Sequence, residues 1–292
     1  MKKGWWVLVG LLLVSGAPRV GADPADDLFR QGKQALDQEK YDDAIQAFTD
    51  YLKLRPQDSD AYVNRGIAYR HLDRFDLAIV DYGHAVEISP KDPDIYYDRG
   101  LAYRHLKRPD DALKDYTTCI ELDPKYVDAY VSRGLIYEDQ KDWKSALQDE
   151  RAALQVDPTN YNATFDAAIA ERHLQDYDAA LRDYTACITV HPEDPDSYVN
   201  RGLVYEDVHQ DKAAENDYNK ALSLNPTDGD ALYDRGTLYR RLGRFQAALD
   251  DLTRYIEQQP KDPDGYTARA KVYESMGDND KAQADKAAAA KL

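Results

Sequence analysis

The apolar residues that follow Asp92 have the three- and four-residue spacing of a short helix. Tyr96, Gly100 and Tyr103 fall at i, i+4 and i+7 and therefore share one helical face. Asp92 is a residue type that caps helix N-termini, and the proline after it suits the first helical position. The pattern predicts a helix over Pro93–Leu106.

A second helix is predicted to begin at Pro109. Ala112 and Tyr116 lie on its apolar side, and Asp123 with Pro124 ends it, because the residue before a proline is driven out of the helical region. Each helix carries more apolar surface than one partner covers. It therefore needs both its partner helix and a neighbouring copy of the pair.

The helix pair recurs every 34 residues without an insertion. Prolines after the second helix occur at Pro56, Pro90, Pro124, Pro158, Pro192, Pro226 and Pro260. Alanines early in the second helix occur at Ala44, Ala78, Ala112, Ala146, Ala180, Ala214, Ala248 and Ala282. Two unbroken columns in one register indicate a tandem array in which each copy buries its neighbour.

A 34-residue period of paired helices resembles the tetratricopeptide repeat family. The third copy shows the family pattern as Tyr96, Gly100, Tyr103, Ala112, Tyr116 and Pro124. The resemblance covers Ala25 to Leu292 and implies an all-α fold, a right-handed superhelical solenoid of eight helix-turn-helix repeats. The repeats are expected at 25–58, 59–92, 93–126, 127–160, 161–194, 195–228, 229–262 and 263–292.

Residues 1–22 differ from the rest of the chain. Lys2 and Lys3 precede a continuous apolar run over Trp5–Val14, and small residues lead to Ala22. This layout is that of a secretory signal peptide cleaved before Asp23, which predicts export, most simply to a bacterial periplasm. The alternative is an uncleaved membrane anchor, for which the run is short, since a spanning helix needs about 20 apolar residues.

The charge of the chain narrows the class of partner. The formal net charge is −16 over 292 residues, and such an acidic body repels nucleic acid and anionic lipid while favouring basic partners.

His71, His105 and His173 share a column, but neighbouring helices lie about 8–10 Å apart, too far for shared zinc ligands at about 2.1 Å. We therefore expect no metal, no cofactor and no enzymatic activity.

Two charged columns predict an ion pair inside each repeat. The arginines are Arg65, Arg99, Arg133, Arg201, Arg235 and Arg269. The aspartates, sixteen residues later, are Asp81, Asp115, Asp149, Asp183, Asp217, Asp251 and Asp285. The first repeat lacks both partners, with Gln31 and Ala47, which indicates pairing from the first helix to the second. Only the fifth repeat is mismatched, since Ala167 faces Asp183.

The junction before the fifth repeat breaks the pattern with two acids. Glu150 stands in an aromatic column and Glu171 in a tyrosine column. Buried carboxylates are tolerated when they are paired, so we expect a locally repacked joint in which Arg151 or Arg172 neutralises the charge. The alternative is a polar binding pocket or a hinge.

The family resemblance implies that the first helices line a concave wall on which ligands lie. The second apolar stripe of these helices is then the candidate binding face: Val63, Ile67, Tyr97, Leu101, Val131, Leu135, Phe165, Ile169, Val199, Leu203 and Tyr233. Charged candidates beside it are Arg104, His105, Arg172, His173 and Arg240. From Arg104 onward the charge in this column alternates in sign from repeat to repeat, with Glu138, Glu206 and Glu274 as the acids. The alternation fits either an ion ladder between repeats or a pattern that reads a partner.

These features predict a non-catalytic scaffold that holds a peptide or protein segment. An apolar strip flanked by charges suits an extended or helical segment with hydrophobic anchors. The alternative is a structural protein that self-associates through the ends of the array, with Leu28 and Tyr41 at the N-terminal contact.

Overall fold

The computed structural model describes residues 23–292, and the predicted leader lies outside them. The chain divides into two compact units, the first ending at Arg108 and the second beginning at Pro109. Unit one contains α1 (Pro24–Asp37), α2 (Tyr41–Leu54), α3 (Ser59–His71), α4 (Phe75–Ile88) and α5 (Pro93–His105). Unit two contains α6 (Pro109–Leu122), α7 (Val127–Asp139), α8 (Trp143–Val156), α9 (Tyr161–His173), α10 (Tyr177–Val190), α11 (Pro195–Asp207), α12 (Asp211–Leu224), α13 (Gly229–Arg241), α14 (Phe245–Gln258), α15 (Pro263–Met276) and α16 (Asn279–Ala289).

The described residues contain helices and no strand, so the predicted all-α class with tandem helix-turn-helix pairs is confirmed. Odd-numbered helices are the first helices of the repeats and even-numbered helices the second. Most first helices are capped by an Asp or Asn side chain that accepts a backbone N–H, as Asp58 does from Ala61. The residue at the turn between paired helices has a positive φ in every repeat, for example 66° at Gln175 and 73° at Gly243.

The core consists of the repeated columns. The alanines early in the second helices are buried, and so are the large residues Tyr82, Tyr184 and Tyr218. Gly202 permits the close approach of these rings, because a Cβ there would lie 2.6 Å from the Tyr218 ring. The glycine column is therefore a packing requirement of the aromatic column that faces it.

In unit two, the first helices lie closer together than the second helices do. The second helices α8, α10, α12 and α14 each pack on the first helix before and the first helix after them. Beyond these neighbours, α7 also contacts α9, α9 contacts α11, α11 contacts α13 and α13 contacts α15. The first helices thus form the inner side of this unit, as the family resemblance implies.

The structure corrects one prediction at the N-terminal end. Tyr41 is not a residue of the end face, because its ring stacks on His71 of the second repeat at a centroid distance of 4.6 Å. Leu28 packs beside the buried cluster of α1–α3 and is only partly exposed. Tyr41 thus contributes to the contact between repeats.

Candidate protein-binding face

The Arg and Asp columns form the skeleton that fixes the first helix to the second. The predicted pairs are confirmed as two-pronged contacts of 2.7–2.8 Å for Arg65–Asp81, Arg133–Asp149, Arg201–Asp217, Arg235–Asp251 and Arg269–Asp285. Bidentate guanidinium–carboxylate geometry fixes orientation as well as distance. These arginines are therefore engaged in the array.

The same arginines also join neighbouring repeats. Arg65 Nη1 donates to Thr49 Oγ1 of the preceding repeat at 3.0 Å, and Arg201 Nη1 donates to Thr185 Oγ1 at 3.1 Å. One side chain thus ties three helices together. The column has a structural role and leaves the neighbouring stripe of the first helix as the open surface.

The apolar candidates lie partly exposed on the first helices, with one exception. In unit two, Val131, Leu135, Phe165, Ile169, Leu203 and Tyr233 are half-buried, and in unit one so are Val63, Ile67, Tyr97 and Leu101. Val199 is wrong as a binding candidate, because it is 4% exposed and belongs to the buried cluster that includes Leu232 of α13.

In unit one, the first helices border an open cavity. It has a volume of about 320 Å³ and is lined by Phe29 and Lys33 of α1, Val63 and Asn64 of α3, and Ile95 of α5, together with acids at the helix starts. A surface depression between three successive first helices is the kind of feature in which a side chain of a bound segment can lodge.

The two histidine candidates have a packing role. His105 stacks on Phe75 at 4.5 Å between centroids, and His173 stacks on Trp143 at 3.8 Å. Both rings remain exposed at their outer edge. They join a first helix to the second helix of the preceding repeat, so one face of each imidazole is already occupied.

The alternating charges form an ion ladder in the later repeats. Arg172 Nε contacts Asp207 Oδ2 at 2.6 Å, and Arg241 Nη2 contacts Glu206 Oε2 at 2.7 Å. Arg172 is thus held by its neighbour. Arg104 is exposed and Arg240 half-buried beside the stripe. Glu138, which continues the alternation, is not part of this ladder.

The irregular junction contains one acid that is paired with an arginine and one that has no partner in the described chain. Arg151 bridges Glu171 and Asp183, with 2.7 Å between its Nη2 and Asp183 Oδ2. The prediction that Arg151 neutralises a junction acid is confirmed for Glu171, and Arg151 also supplies the cation that Ala167 cannot. Glu150 is 0% exposed, and neither of its carboxylate oxygens has a hydrogen-bond partner in the described chain.

Burial and neighbouring acids act together on Glu150. Burial, then Asp166, Glu138 and Asp149, raises the pKa of the Glu150 carboxyl to about 10. Burial and Asp166 raise the pKa of Glu138 to about 8, and burial raises that of Asp166 to about 6. The first-helix face of unit two therefore contains a group of carboxyls that are difficult to ionise.

Sequence reasoning missed Asp166 as a site residue. Its column holds Asp98, Asp166 and Asp234 in alternate repeats, with Asn64 before them and Ser132 and Asn200 between them. Burial raises the pKa of Asp98 to about 6 and, with Glu206, that of Asp234 to about 7. The two-repeat alternation in this column was the available signal.

The described residues thus define an all-α array of tandem helix pairs with an open first-helix face in each unit. Three family profiles described as tetratricopeptide repeat match the chain, over residues 29–94, 93–126 and 202–273. The chain belongs to the tetratricopeptide repeat family. That fold indicates a scaffold for protein–protein interaction.

Solved structures share the fold at low sequence identity. A tetratricopeptide repeat protein from Parabacteroides merdae has 20% identity and a TM-score of 0.64, covering 85% of this chain and 98% of its own. The C-terminal part of a TPR repeat-containing protein from Cytophaga hutchinsonii has 16% identity and a TM-score of 0.68, covering 82% and 98%. YrrB, described as a TPR protein with an unusual peptide-binding site, has 20% identity and a TM-score of 0.60, covering 66% and 99%.

No curated protein matches the chain. Among residues 23–292, no helix has both the length and the apolar character needed to cross a bilayer.

Proposed function

We propose that this protein is a non-catalytic scaffold that binds a segment of a partner protein on the first-helix face of unit two. The observation that carries the proposal is the half-exposed apolar stripe formed by Val131, Leu135, Phe165, Ile169 and Leu203 on α7, α9 and α11. Apolar residues aligned on successive helices of an acidic array form a surface suited to binding another chain.

The stripe and the charge together describe the partner segment. First helices that pack side by side lie about 8–10 Å apart. A segment in the polyproline II conformation rises about 3.1 Å per residue with three residues per turn, so every third side chain lies on the same side, about 9 Å further along. Such a segment therefore fits the stripe best with apolar side chains three residues apart. The net charge of −16 favours basic residues around those anchors. YrrB, which has the same fold, is described as having a peptide-binding site.

Peptide selection tests the proposal. A displayed library of random peptides is selected on the purified full-length chain, and the dissociation constants of the enriched peptides are measured by fluorescence polarisation. Leu135→Glu with Ile169→Glu should weaken binding about tenfold or more, since each change places a charge against an apolar anchor. The matched control is Val190→Glu on the second helix α10, where Val190 is 62% exposed.

Equal affinity for the double variant and for the control would contradict binding on this face. Light scattering across a concentration series tests the alternative of self-association through the ends of the array. A molecular mass that grows with concentration would favour that alternative, provided that Leu28→Glu abolishes the growth.

Residues 1–22 lead us to include export to a bacterial periplasm in the proposal. Their charged start and short apolar run fit a cleaved leader. Mass spectrometry of the chain recovered from a periplasmic fraction should find Asp23 as its first residue. Recovery in the membrane fraction with Met1 retained would favour the anchor instead.

A further inference from the structure

The joint between α7, α8 and α9 holds three carboxyls without a neighbouring cation in the described chain. Glu150 is completely buried, and both of its oxygens lack a hydrogen-bond partner within residues 23–292. Glu138 Oε1 is likewise buried without a partner there, and Asp166 lies close enough to influence both carboxyls. Buried acids without a donor or counter-charge are costly. The described residues therefore do not supply the donor or counter-charge that these carboxyls need.

The joint two repeats later shows which groups are missing. Glu206 occupies the same column as Glu138 and accepts hydrogen bonds of 2.7 Å from the Tyr218 hydroxyl and 2.7 Å from Arg241 Nη2. Tyr218 stands in the column of Glu150, and Arg241 stands in a column that holds a histidine at the earlier joint. Both donors of the later joint are thus replaced, one of them by a second acid.

Elsewhere the chain places a guanidinium beside acids at the contacts between repeats. In unit one, Arg70 occupies the column of Glu138, and its Nη2 lies 3.8 Å from Asp98 Oδ1, in the column of Asp166. On the opposite side of α9, Arg151 bridges Glu171 and Asp183. An arginine is therefore the side chain with which this fold already balances acids between repeats.

We infer that the cluster Glu138–Glu150–Asp166 is the binding site for an arginine side chain of the partner protein, whose guanidinium takes the place of the missing internal donor. This inference rests on the proposed function, since the arginine belongs to the segment held on the first-helix face. The flanking Leu135 and Ile169 would contact the apolar neighbours of that arginine in the segment.

The chemistry of the cluster suits a guanidinium. Its planar fork offers five N–H donors, enough for the unpartnered oxygens of Glu138 and Glu150 together with Asp166, whereas a lysine offers three from a single point. Glu138 and Asp166 are partly exposed, so a guanidinium reaches them from the face, and their side chains must move aside before it contacts the buried Glu150. Within residues 23–292, no group of three His, Cys, Asp or Glu side chains is arranged to hold a metal ion.

Gly134 gives the buried carboxyl its place. A Cβ at this position would overlap the Glu150 carboxyl, so the glycine lets that acid lie directly against α7, one helical turn before Glu138. The tyrosines in the same column are longer. Replacing the ring by a carboxyl therefore brings an acid, rather than a hydroxyl, beneath the open face.

Binding would exchange a proton for a cation. The raised pKa of Glu150, near 10, keeps that carboxyl protonated at neutral pH in the free protein. When the guanidinium arrives, the O–H bond breaks, the proton passes to solvent, and the carboxylate that remains pairs with the arginine. Glu138, whose pKa is raised to about 8, also carries its proton at neutral pH, so binding should release at least one proton from these two carboxyls. Asp166 and Asp149 are the other acids that face Glu150.

The test uses the full-length chain and a defined probe, N-acetyl-arginine amide, with N-acetyl-citrulline amide as the neutral isostere. Amide NMR spectra are recorded while either probe is added at neutral pH. The arginine probe should shift the resonances of residues 134–138, 150 and 166, and the citrulline probe should bind about tenfold more weakly or worse. Calorimetry in buffers of different ionisation enthalpy measures the proton released.

Two variants fill the site from within the chain. Glu138→Arg places an internal guanidinium in the column of Arg70, and Glu150→Tyr restores the hydroxyl that Glu206 receives from Tyr218. Both should fold and should weaken binding of the arginine probe about tenfold or more. Glu257→Arg, at an exposed position of α14, makes the same charge change as Glu138→Arg and should leave binding unchanged.

Equal binding of both probes, unchanged binding by Glu138→Arg, or no shift at these residues would each overturn the inference. Selected peptides that bind the stripe without requiring a basic residue would overturn it and leave the scaffold proposal standing. The opposite outcome is also distinguishable. If the arginine probe binds here but Leu135→Glu with Ile169→Glu leaves the binding of selected peptides unchanged, the arginine site stands and the proposed function is wrong.

Discussion

Removing the charge of Glu150 while keeping its shape should alter how stability depends on pH. Glu150→Gln is the appropriate change, because the amide has nearly the volume of the carboxyl and does not ionise. The groups that face Glu150 are Asp166 on α9, Glu138 on α7 and Asp149 on α8, all of them acids. Ionisation of Glu150 in the folded chain is therefore opposed both by burial and by like charge.

The direction in which pH changes the free energy of unfolding follows from the two pKa values of Glu150. The ordinary pKa of the carboxyl is 4.5, and in the folded chain it is about 10. Between these values the folded state binds the proton more tightly than the unfolded state does. The contribution of Glu150 to stability is therefore fully present below pH 4.5 and is lost as the pH rises towards 10. At about 1.4 kcal/mol per pH unit, raising the pH from about 5 to about 7.5 lowers the free energy of unfolding by about 3 kcal/mol through this residue.

Urea unfolding at several pH values measures this loss. Trp143 begins α8, and its fluorescence reports on the joint once Trp5 and Trp6 are replaced by phenylalanine. Wild type should lose about 3 kcal/mol relative to Glu150→Gln over that pH interval. The amide is buried without partners at every pH, so its constant cost does not enter the difference.

Glu257→Gln is the matched control, since Glu257 is exposed on α14 and the change removes the same charge. It should follow the pH dependence of wild type. If Glu150→Gln and wild type have parallel pH profiles, Glu150 ionises normally in the folded chain. The physical account of the acid cluster would then be wrong.

Two further changes test the packing of the joints. Arg151→Met leaves Glu171 and Asp183 without their shared cation and should lower the free energy of unfolding by about 2 kcal/mol or more; an unchanged urea midpoint would show that this bridge is not needed. Gln175→Gly relieves the positive φ of 66° at the turn, where Gly243 stands two repeats later. It should raise thermal stability by about 0.5–1 kcal/mol, and a lower melting temperature would contradict that reasoning.

The helix pairs could be read from the repeat because each boundary has a local chemical cause. The first helix of the third repeat runs Pro93–His105 against an expected Pro93–Leu106, and the second begins at Pro109 as expected. The Arg–Asp pairing was also predictable, because the first repeat lacks both partners at once. Neither helix capping nor the pairing of the two columns depends on how one repeat is rotated against the next.

Contacts between repeats were harder to predict, because they depend on how one helix pair turns against the next. Val199 has the spacing of its stripe, yet α13 packs over it. Tyr41 has the character of an end residue, yet it stacks on His71. Glu138 belonged to an alternating charge pattern, and only the geometry separates it from the ladder that holds Arg172 and Glu206. A period of 34 residues defines columns, but not which neighbours meet.

Hydrogen exchange of the full-length chain with a selected peptide bound tests the central claim most directly. The account predicts slower amide exchange in α7, α9 and α11, with the largest change in the turn that contains Glu138. It also predicts little change in the second helices α8, α10 and α12. Protection confined to those second helices, with α7 and α9 unaffected, would contradict binding on the first-helix face.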